Sequence, residues 1–166
     1  HARRTIVLAL GGGQNPGERT NIRSLPPHHI TALVRALATY SCVIVGTENE
    51  HVLYGHVLHE KHVVNLLGKT TLQQAGALMA ATKATVCTDS GLMHVAGAVG
   101  ARVIALFGPT NPARKCPAGA TAIWHDQNVY KIGKHFASCE LAKLRLVEVT
   151  PGRIETFLQK KSAELA

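Results

Sequence analysis

The chain has 166 residues, of which 46% are hydrophobic and 17% are charged, which excludes a disordered or fibrous protein and suffices for one globular domain. No run approaches the roughly 18 apolar residues of a membrane-spanning helix, so we expect neither such a helix nor a signal peptide. The net charge of +8 favours a negatively charged binding partner, such as nucleic acid, an anionic membrane or a phosphorylated small molecule. Alternatively, the basic residues form only a solvated surface without a specific partner. Because the basic residues are dispersed and few aromatic residues are available for base stacking, we expect that the protein does not bind nucleic acid.

Apolar runs alternate with helical patterns along the whole chain. Strands are predicted over residues 5–10, 42–46, 62–68, 84–88, 103–108 and 121–125. Helices are predicted over residues 27–40, 48–59, 71–82, 92–99 and 151–161. Every strand is apolar throughout, which predicts a parallel sheet of about six strands with helices on both faces, a Rossmann-like three-layer α/β/α fold. We expect this to be a single domain over residues 1–166.

The helix over residues 71–82 should turn its apolar positions towards the sheet. These positions are Leu72, Ala75, Leu78 and Met79. The last helix should begin at Pro151, the favoured first helical position, with Thr150 as its cap.

Ligands of such sheets bind beyond the carboxyl ends of the strands, so the loops at that edge are the candidate sites. The loop over residues 11–27, rich in Gly, Asn and Pro, opens with Gly11-Gly12-Gly13. It lacks the GxGxxG pattern of dinucleotide-binding folds, because Pro16 stands where the third glycine is needed. These glycines form either a flexible loop or a stretch of bare amides near a phosphate.

A second nucleotide-binding motif is also incomplete. Gly68-Lys69-Thr70 copies the end of a P-loop, but the position of its first glycine is Val63, inside a predicted strand. We therefore favour a simpler role, in which Thr70 or Thr71 caps the following helix.

The turn Thr88-Asp89-Ser90-Gly91 joins a buried strand to a helix. Asp89 or Ser90 is either a simple helix cap or part of an anion site formed by the helix N-terminus, such as a site for a diphosphate. Gly91 would allow a ligand to approach closely, and His94, one turn further on, could add a hydrogen-bond donor.

Metal and disulfide sites are not expected. His56, His59 and His62 recur every three residues, but there is no HExxH motif and no cluster of cysteines or acids. The four cysteines are scattered without a CxxC pair, which indicates a reducing compartment.

Residues 65–114, NLLGKTTLQQAGALMAATKATVCTDSGLMHVAGAVGARVIALFGPTNPAR, resemble the carboxyl-terminal half of glycosyltransferase family 9, which includes the lipopolysaccharide heptosyltransferases. Three family elements occur in order: a G-K-[TS]-[ST]-L helix start, an acidic-[ST]-G-x-x-H turn and a strand ending in [FY]-G-P-T-[DN]-P. The resemblance extends to Arg23-Ser24-Leu25-Pro26 and to residues 149–158, and so covers nearly the whole chain.

The resemblance implies a GT-B enzyme made of two Rossmann-like halves, of which this chain would be the second. That half binds a nucleotide sugar, ADP-heptose in heptosyltransferases, for transfer to a lipid-linked glycan acceptor. The residues expected around the nucleotide sugar are Gly12, Gly13, Arg23, Glu50, Thr70, Asp89, Ser90, Gly91 and His94. No cofactor and no metal would be required.

The expected roles follow the family's motif positions. Asp89, Ser90, Gly91 and His94 would surround the diphosphate and sugar, whereas Arg23, usually lysine in the family, would neutralise the departing nucleoside diphosphate. Gly12 and Gly13 would meet the phosphates, Thr70 would lie near the adenine, and Glu50 would bind the ribose.

The catalytic base is expected in the amino-terminal acceptor domain, which we expect to be absent from this chain. The chain alone would then bind its nucleotide sugar without transferring the sugar. The implied location is the cytoplasm, either free or in peripheral contact with the anionic inner membrane.

Two departures from the family pattern question the specificity for heptose. Leu25 replaces the usual Trp, which would remove an aromatic surface beside the nucleotide sugar, and the family's cysteine-rich segment survives only as Cys139. The alternatives are a family member that uses another nucleotide sugar, and a stand-alone nucleotide-binding module without catalysis.

Overall fold

A computed structural model of the chain describes residues 4–13 and 23–124, together with positions 152, 154, 156, 158 and 159. The six strands are β1 (Thr5–Ala9), β2 (Ser41–Ile44), β3 (Val63–Asn65), β4 (Ala84–Thr88), β5 (Val103–Leu106) and β6 (Thr121–Ile123). All five neighbouring pairs are parallel, and the strand order is β3-β2-β1-β4-β5-β6. The predicted parallel sheet is therefore confirmed.

The α-helices of the ranges 4–13 and 23–124 are α1 (Pro27–Ala36), α2 (His51–Tyr54), α3 (Leu72–Ala81), α4 (Gly91–Ala98) and α5 (Pro112–Lys115). The five described positions between 152 and 159 are also helical, in agreement with the predicted last helix, whereas Thr150 and Pro151 lie outside the described residues. Within the part of the chain that the structure describes, every helix is too short or too polar to cross a bilayer.

Two hydrophobic cores form because successive residues of a strand point to opposite faces of the sheet. Ile6 and Leu8 of β1 face the core that buries Ile30, Leu33, Val34 and Leu37 of the α1 segment. Ile154 and Leu158 complete that core. Val7 and Ala9 face the opposite core, with Ala75 and Met79 of α3 and Met93 and Ala96 of α4. The three predicted layers are thus present.

The stretch 48–59 is not the single helix that the sequence predicts. It consists of a 3-10 turn (Glu48–Glu50), the one-turn helix α2 and a second 3-10 segment (Gly55–His59). Gly55 has a φ of 48°, a left-handed conformation that ends α2.

Strand β3 is also shorter than predicted, because the chain turns directly after Asn65. The Asn65 side-chain oxygen accepts a hydrogen bond from the N–H of Leu67, and Gly68 follows with a φ of 69°. Thr71 then caps α3: its hydroxyl accepts from the N–H of Gln74, whose side chain accepts from the N–H of Thr71. The apparent P-loop is therefore a turn and a helix cap, as expected.

Candidate functional site

A pocket of about 250 Å³ lies at the carboxyl ends of β1, β2 and β4. The chain runs outward from β1 to β2 and β3 on one side, and later to β4, β5 and β6 on the other, so the pocket opens where the direction of winding reverses. Ligands of doubly wound sheets bind at such a point. The pocket is lined by Ala9, Gly11, Gly12, Gly13, Gly46, Thr47, Glu50, Thr70, Thr71, Leu72, Ala75, Ser90, Gly91 and Leu92.

The glycine loop after β1 forms one side of the pocket. Gly12 and Gly13 have φ values of 73° and 64°, so both adopt the left-handed conformation that disfavours other residues. A β-carbon on Gly13 would lie 3.6 Å from the β-carbon of Ser90, so this loop packs closely against the turn after β4. Two chain segments that are far apart in sequence thereby share one binding surface.

The N-terminus of α4 forms the other side. Asp89 and Ser90 are 5% and 8% exposed, and Ser90 precedes the helix in an extended conformation without a side-chain capping bond. Among the described residues, no atom from outside the helix's own turn lies within 4 Å of the place where Gly91 would carry a β-carbon. The helix N-terminus, whose backbone N–H groups attract anions, is therefore open to a ligand at Gly91.

Arg23 connects these two sides. Its guanidinium donates to the carbonyl oxygen of Asp89 at 3.3 Å and to the carbonyl oxygen of Gly13 at 3.5 Å. The arginine thus holds the glycine loop against the turn after β4 and brings a positive charge next to the pocket.

Glu50 lies at the end of the pocket formed by β1 and β2. Its Oε1 atom accepts hydrogen bonds from the N–H of Thr47 at 3.2 Å and from the Thr47 hydroxyl at 3.1 Å. Burial raises the pKa of the Glu50 carboxyl above its ordinary value, and the two Thr47 hydrogen bonds oppose that shift. The site therefore combines a half-buried acid at one end with an anion-attracting helix terminus at the other.

Six of the nine predicted site residues line the pocket. They are Gly12, Gly13, Glu50, Thr70, Ser90 and Gly91. Arg23 and Asp89 are not in the lining, but Arg23 donates to the carbonyl oxygen of Asp89 and to that of Gly13, which lines the pocket. His94 is exposed on α4 and is not part of the lining.

Leu25 lies in the core, and Leu72 is placed differently from the sequence expectation. Leu25 is 1% exposed, packs in the core that contains Ile6, and donates its N–H to the carbonyl of Leu10. It is therefore not part of the pocket lining. Leu72 was predicted to face the sheet but is 62% exposed and lines the pocket, because the first turn of α3 projects beyond the end of the sheet.

Sequence reasoning missed Gly11, Gly46 and Thr47 as individual site residues. Each directly follows or closely follows an apolar strand, which is the signal that could have found them. Their importance depends on the Glu50 carboxylate, which lies against both glycines. That contact joins residues that follow two different strands, so no local pattern in the sequence could have predicted it.

Two of the described cysteines, Cys42 and Cys87, are fully buried in the core. Cys42, Cys87 and Cys116 are not in disulfides, and burial raises the pKa of the Cys42 thiol to about 12 and that of Cys87 further. Both of these thiols therefore stay protonated and unreactive at neutral pH. Cys139 lies outside the described residues, and among those that are described no group of three His, Cys, Asp or Glu side chains could hold a metal ion.

The sequence matches the family model of glycosyltransferase family 9 (heptosyltransferase) over residues 24–143. Lipopolysaccharide heptosyltransferase 2 of Escherichia coli (strain K12) is 34% identical over 139 residues, which cover 78% of this chain and 40% of the relative. Lipooligosaccharide heptosyltransferase 2 of Haemophilus ducreyi is 31% identical over 142 residues, with the same two coverages. The chain thus spans 40% of the length of these curated relatives.

Solved structures give a consistent result. The structure of E. coli ADP-heptose lps heptosyltransferase II superposes with a TM-score of 0.73 and 28% identity, covering 97% of this chain and 48% of that one. The E. coli heptosyltransferase WaaC with ADP superposes with a TM-score of 0.70, covering 96% of this chain and 44% of that one. At 18% identity, this second similarity concerns the fold alone.

Proposed function

Because the chain belongs to glycosyltransferase family 9, we propose that it is the nucleotide-sugar-binding domain of a glycosyltransferase. In this proposal residues 1–166 form one Rossmann-like half of a GT-B enzyme. The enzyme would transfer heptose from ADP-heptose to a lipopolysaccharide core or a related lipid-linked glycan. The acceptor-binding site and the catalytic base would belong to a companion amino-terminal domain.

The observation that carries the proposal is the pocket at the carboxyl ends of β1, β2 and β4. It has an open helix N-terminus at Gly91, two left-handed glycines facing it, and an acid at the opposite end. This is the chemistry that a nucleoside diphosphate requires, since the diphosphate is an anion and the ribose offers hydroxyl donors.

The proposed roles follow from these positions. Gly12, Gly13, Ser90 and Gly91 surround the diphosphate, and Arg23 adds positive charge behind them. Glu50 accepts a hydrogen bond from the ribose, and Thr70 lies near the adenine. Asp89, whose carbonyl oxygen accepts from Arg23, and His94 are assigned to the diphosphate and the sugar together.

The proposed reaction forms a bond between an acceptor oxygen and the anomeric carbon while the bond from that carbon to the diphosphate breaks. The leaving diphosphate gains negative charge, which the α4 N-terminus and the Arg23 guanidinium stabilise electrostatically. A carboxylate in the companion domain takes the proton of the acceptor hydroxyl. In this scheme positive charge from the protein does the work of a metal ion.

The choice of ADP-heptose is supported by the superposed structure that is named as an ADP-heptose heptosyltransferase and is 28% identical to this chain. Leu25, which replaces the family's usual Trp, is buried in the core and does not line the pocket. The lipid-linked acceptor would bring the enzyme to the cytoplasmic side of the inner membrane, and the net charge of +8 suits an anionic surface there.

The test is a calorimetric titration of the 166-residue chain with ADP, UDP and GDP in the absence of added metal. We expect ADP to bind most tightly, and Asp89→Ala and Arg23→Ala to weaken that binding. Arg35→Ala is the matched control, because Arg35 has the same charge but is exposed on α1 and pairs with Glu60. Tighter binding of UDP or GDP would contradict ADP-heptose, and no binding of any nucleotide would contradict the proposed function.

A second candidate is a stand-alone nucleotide-binding module without catalysis, because the pocket that carries the proposal concerns nucleotide binding alone. This candidate also predicts ADP binding, so a transfer assay must separate the two. We would add the amino-terminal half of a family 9 enzyme in trans and measure ADP release from ADP-heptose with a lipid-linked acceptor. Release that depends on both pieces supports the enzyme, whereas release no faster than from the added half alone supports the binding module.

A further inference from the structure

The Glu50 carboxylate packs directly against the backbone of two glycines, Gly11 and Gly46. A β-carbon at Gly11 would overlap Oε2 of Glu50, and a β-carbon at Gly46 would lie 2.5 Å from the same atom. These glycines follow β1 and β2, so the carboxylate fills the gap between two strand ends. Because neither glycine has a side chain, the carboxylate can lie directly over the bare backbone at the edge of the pocket.

The two oxygens of this carboxylate have different partners. Oε1 accepts both the N–H and the hydroxyl of Thr47, at 3.2 and 3.1 Å. Among the residues that the structure describes, no hydrogen-bond donor reaches Oε2, although it belongs to a half-buried group whose burial disfavours the charged form. Oε2 is therefore available to accept a hydrogen bond from a ligand in the pocket.

Thr47 itself is exposed and lines the pocket, but its hydroxyl is directed to Glu50. With both donors on one oxygen, rotation of the carboxylate about its terminal bond is restricted. Oε2 is then held in a fixed position above Gly11 and Gly46, which also line the pocket.

We infer that Thr47 is a positioning residue for ribose recognition: it fixes Oε1 of Glu50 so that Oε2 accepts a hydrogen bond from a ribose hydroxyl of the nucleotide. This inference rests on the proposed function, because it takes the ligand to be a nucleoside diphosphate. It adds that selection of a ribonucleotide over a deoxyribonucleotide depends on a residue that does not itself contact the ribose.

The experiment titrates the 166-residue chain with ADP, 2′-deoxy-ADP and 3′-deoxy-ADP. For the unaltered protein, at least one deoxy analogue should bind about tenfold more weakly than ADP, the effect of one hydrogen bond to a charged group. In Thr47→Val, which keeps the shape but loses the hydroxyl, ADP affinity should fall towards that of the weaker analogue. The affinity for that analogue should change less than about twofold, since it lacks the hydroxyl concerned.

Three further variants separate positioning from a general structural effect. Thr47→Ser restores the hydroxyl and should restore the preference for ADP. Thr31→Val removes a comparable hydroxyl on α1, where it contacts only the helix carbonyl of Pro27, and should bind ADP normally. In a Glu50→Ala background, Thr47→Val should have no additional effect on ADP affinity, because the two residues act through one carboxylate.

The outcomes distinguish this inference from the proposed function. If the unaltered chain binds no nucleotide, both are wrong. If it binds ADP but Thr47→Val keeps the full affinity and the full preference over both deoxy analogues, only the role of Thr47 is wrong. Equal losses of ADP and deoxy-ADP affinity in Thr47→Val would also overturn it, since they would indicate a distorted pocket.

Discussion

The carboxylate of Glu50 fills the space that a side chain on Gly11 would need. Gly11→Ala should therefore displace Glu50 and lower the free energy of unfolding by about 1–3 kcal/mol, the usual cost of overpacking. Urea denaturation measures this change. The double variant Gly11→Ala with Glu50→Ala should be no less stable than Glu50→Ala within about 0.5 kcal/mol, because the overlap is gone.

Gly152→Ala is the matched control for that substitution. Gly152 is helical, and no atom of the described residues lies within 4 Å of its added β-carbon, so alanine should leave stability unchanged or raise it by up to about 1 kcal/mol. A Gly11→Ala protein as stable as this control would contradict the close packing of the Glu50 carboxylate against Gly11.

Arg23 should act on nucleotide binding by its charge and by its two carbonyl contacts. Arg23→Ala removes both, so we expect ADP affinity to fall about tenfold or more and the free energy of unfolding to fall by about 1 kcal/mol. Arg23→Lys keeps the charge and should lose less than half of the binding free energy lost by Arg23→Ala. Titrations at low and high salt measure the charge effect, because ADP binding to Arg23→Ala should depend less on salt.

A lysine variant that binds ADP as weakly as the alanine variant would show that the geometry of the two carbonyl contacts outweighs the charge. Unchanged ADP affinity in both variants would contradict any role of Arg23 in the site.

The raised pKa of Glu50 predicts a pH-dependent stability. Because the folded protein holds this proton more tightly than the unfolded chain, stability should fall as pH rises from the ordinary carboxyl pKa through the raised one. Glu50→Gln keeps the shape without the charge and should lack this fall, so the two proteins should be similar at low pH and the variant more stable at pH 7. Tyr54, a neighbouring titratable group, does not interfere, because burial raises its pKa and keeps it neutral.

Denaturation of both proteins at several pH values from about 4 to about 8 measures this difference, because that interval includes the ordinary carboxyl pKa and the values above it. Parallel stability curves would contradict the prediction. The same variant should bind ADP more weakly than the unaltered chain, so stability and binding should change in opposite directions at neutral pH.

Nucleotide binding should not require a metal ion. The α4 N-terminus and Arg23 supply positive charge to the diphosphate, so ADP should bind in EDTA at least as tightly as with Mg²⁺. Calorimetry with the same protein in the two buffers measures this. An affinity that is about tenfold higher with Mg²⁺ would contradict the metal-free mechanism.

The sequence by itself determined the fold and the general location of the site. Six strands that are apolar on both faces can be covered only by helices on both sides, and parallel strands bring their following loops to one edge. The motif around Asp89, Ser90 and Gly91 was therefore correctly placed at that edge. Local turn chemistry likewise identified the cap at Thr71.

Only the tertiary structure decided which of these residues meet. The contact of Glu50 with Gly11 and that of Arg23 with Asp89 join segments that are 39 and 66 positions apart, and they exist because β1 lies between β2 and β4. The same packing buries Leu25 in the core and turns Leu72 out to the pocket, and the second of these is contrary to the sequence expectation. Periodicity describes one element at a time, whereas the position of a side chain at a strand end depends on the neighbouring strands.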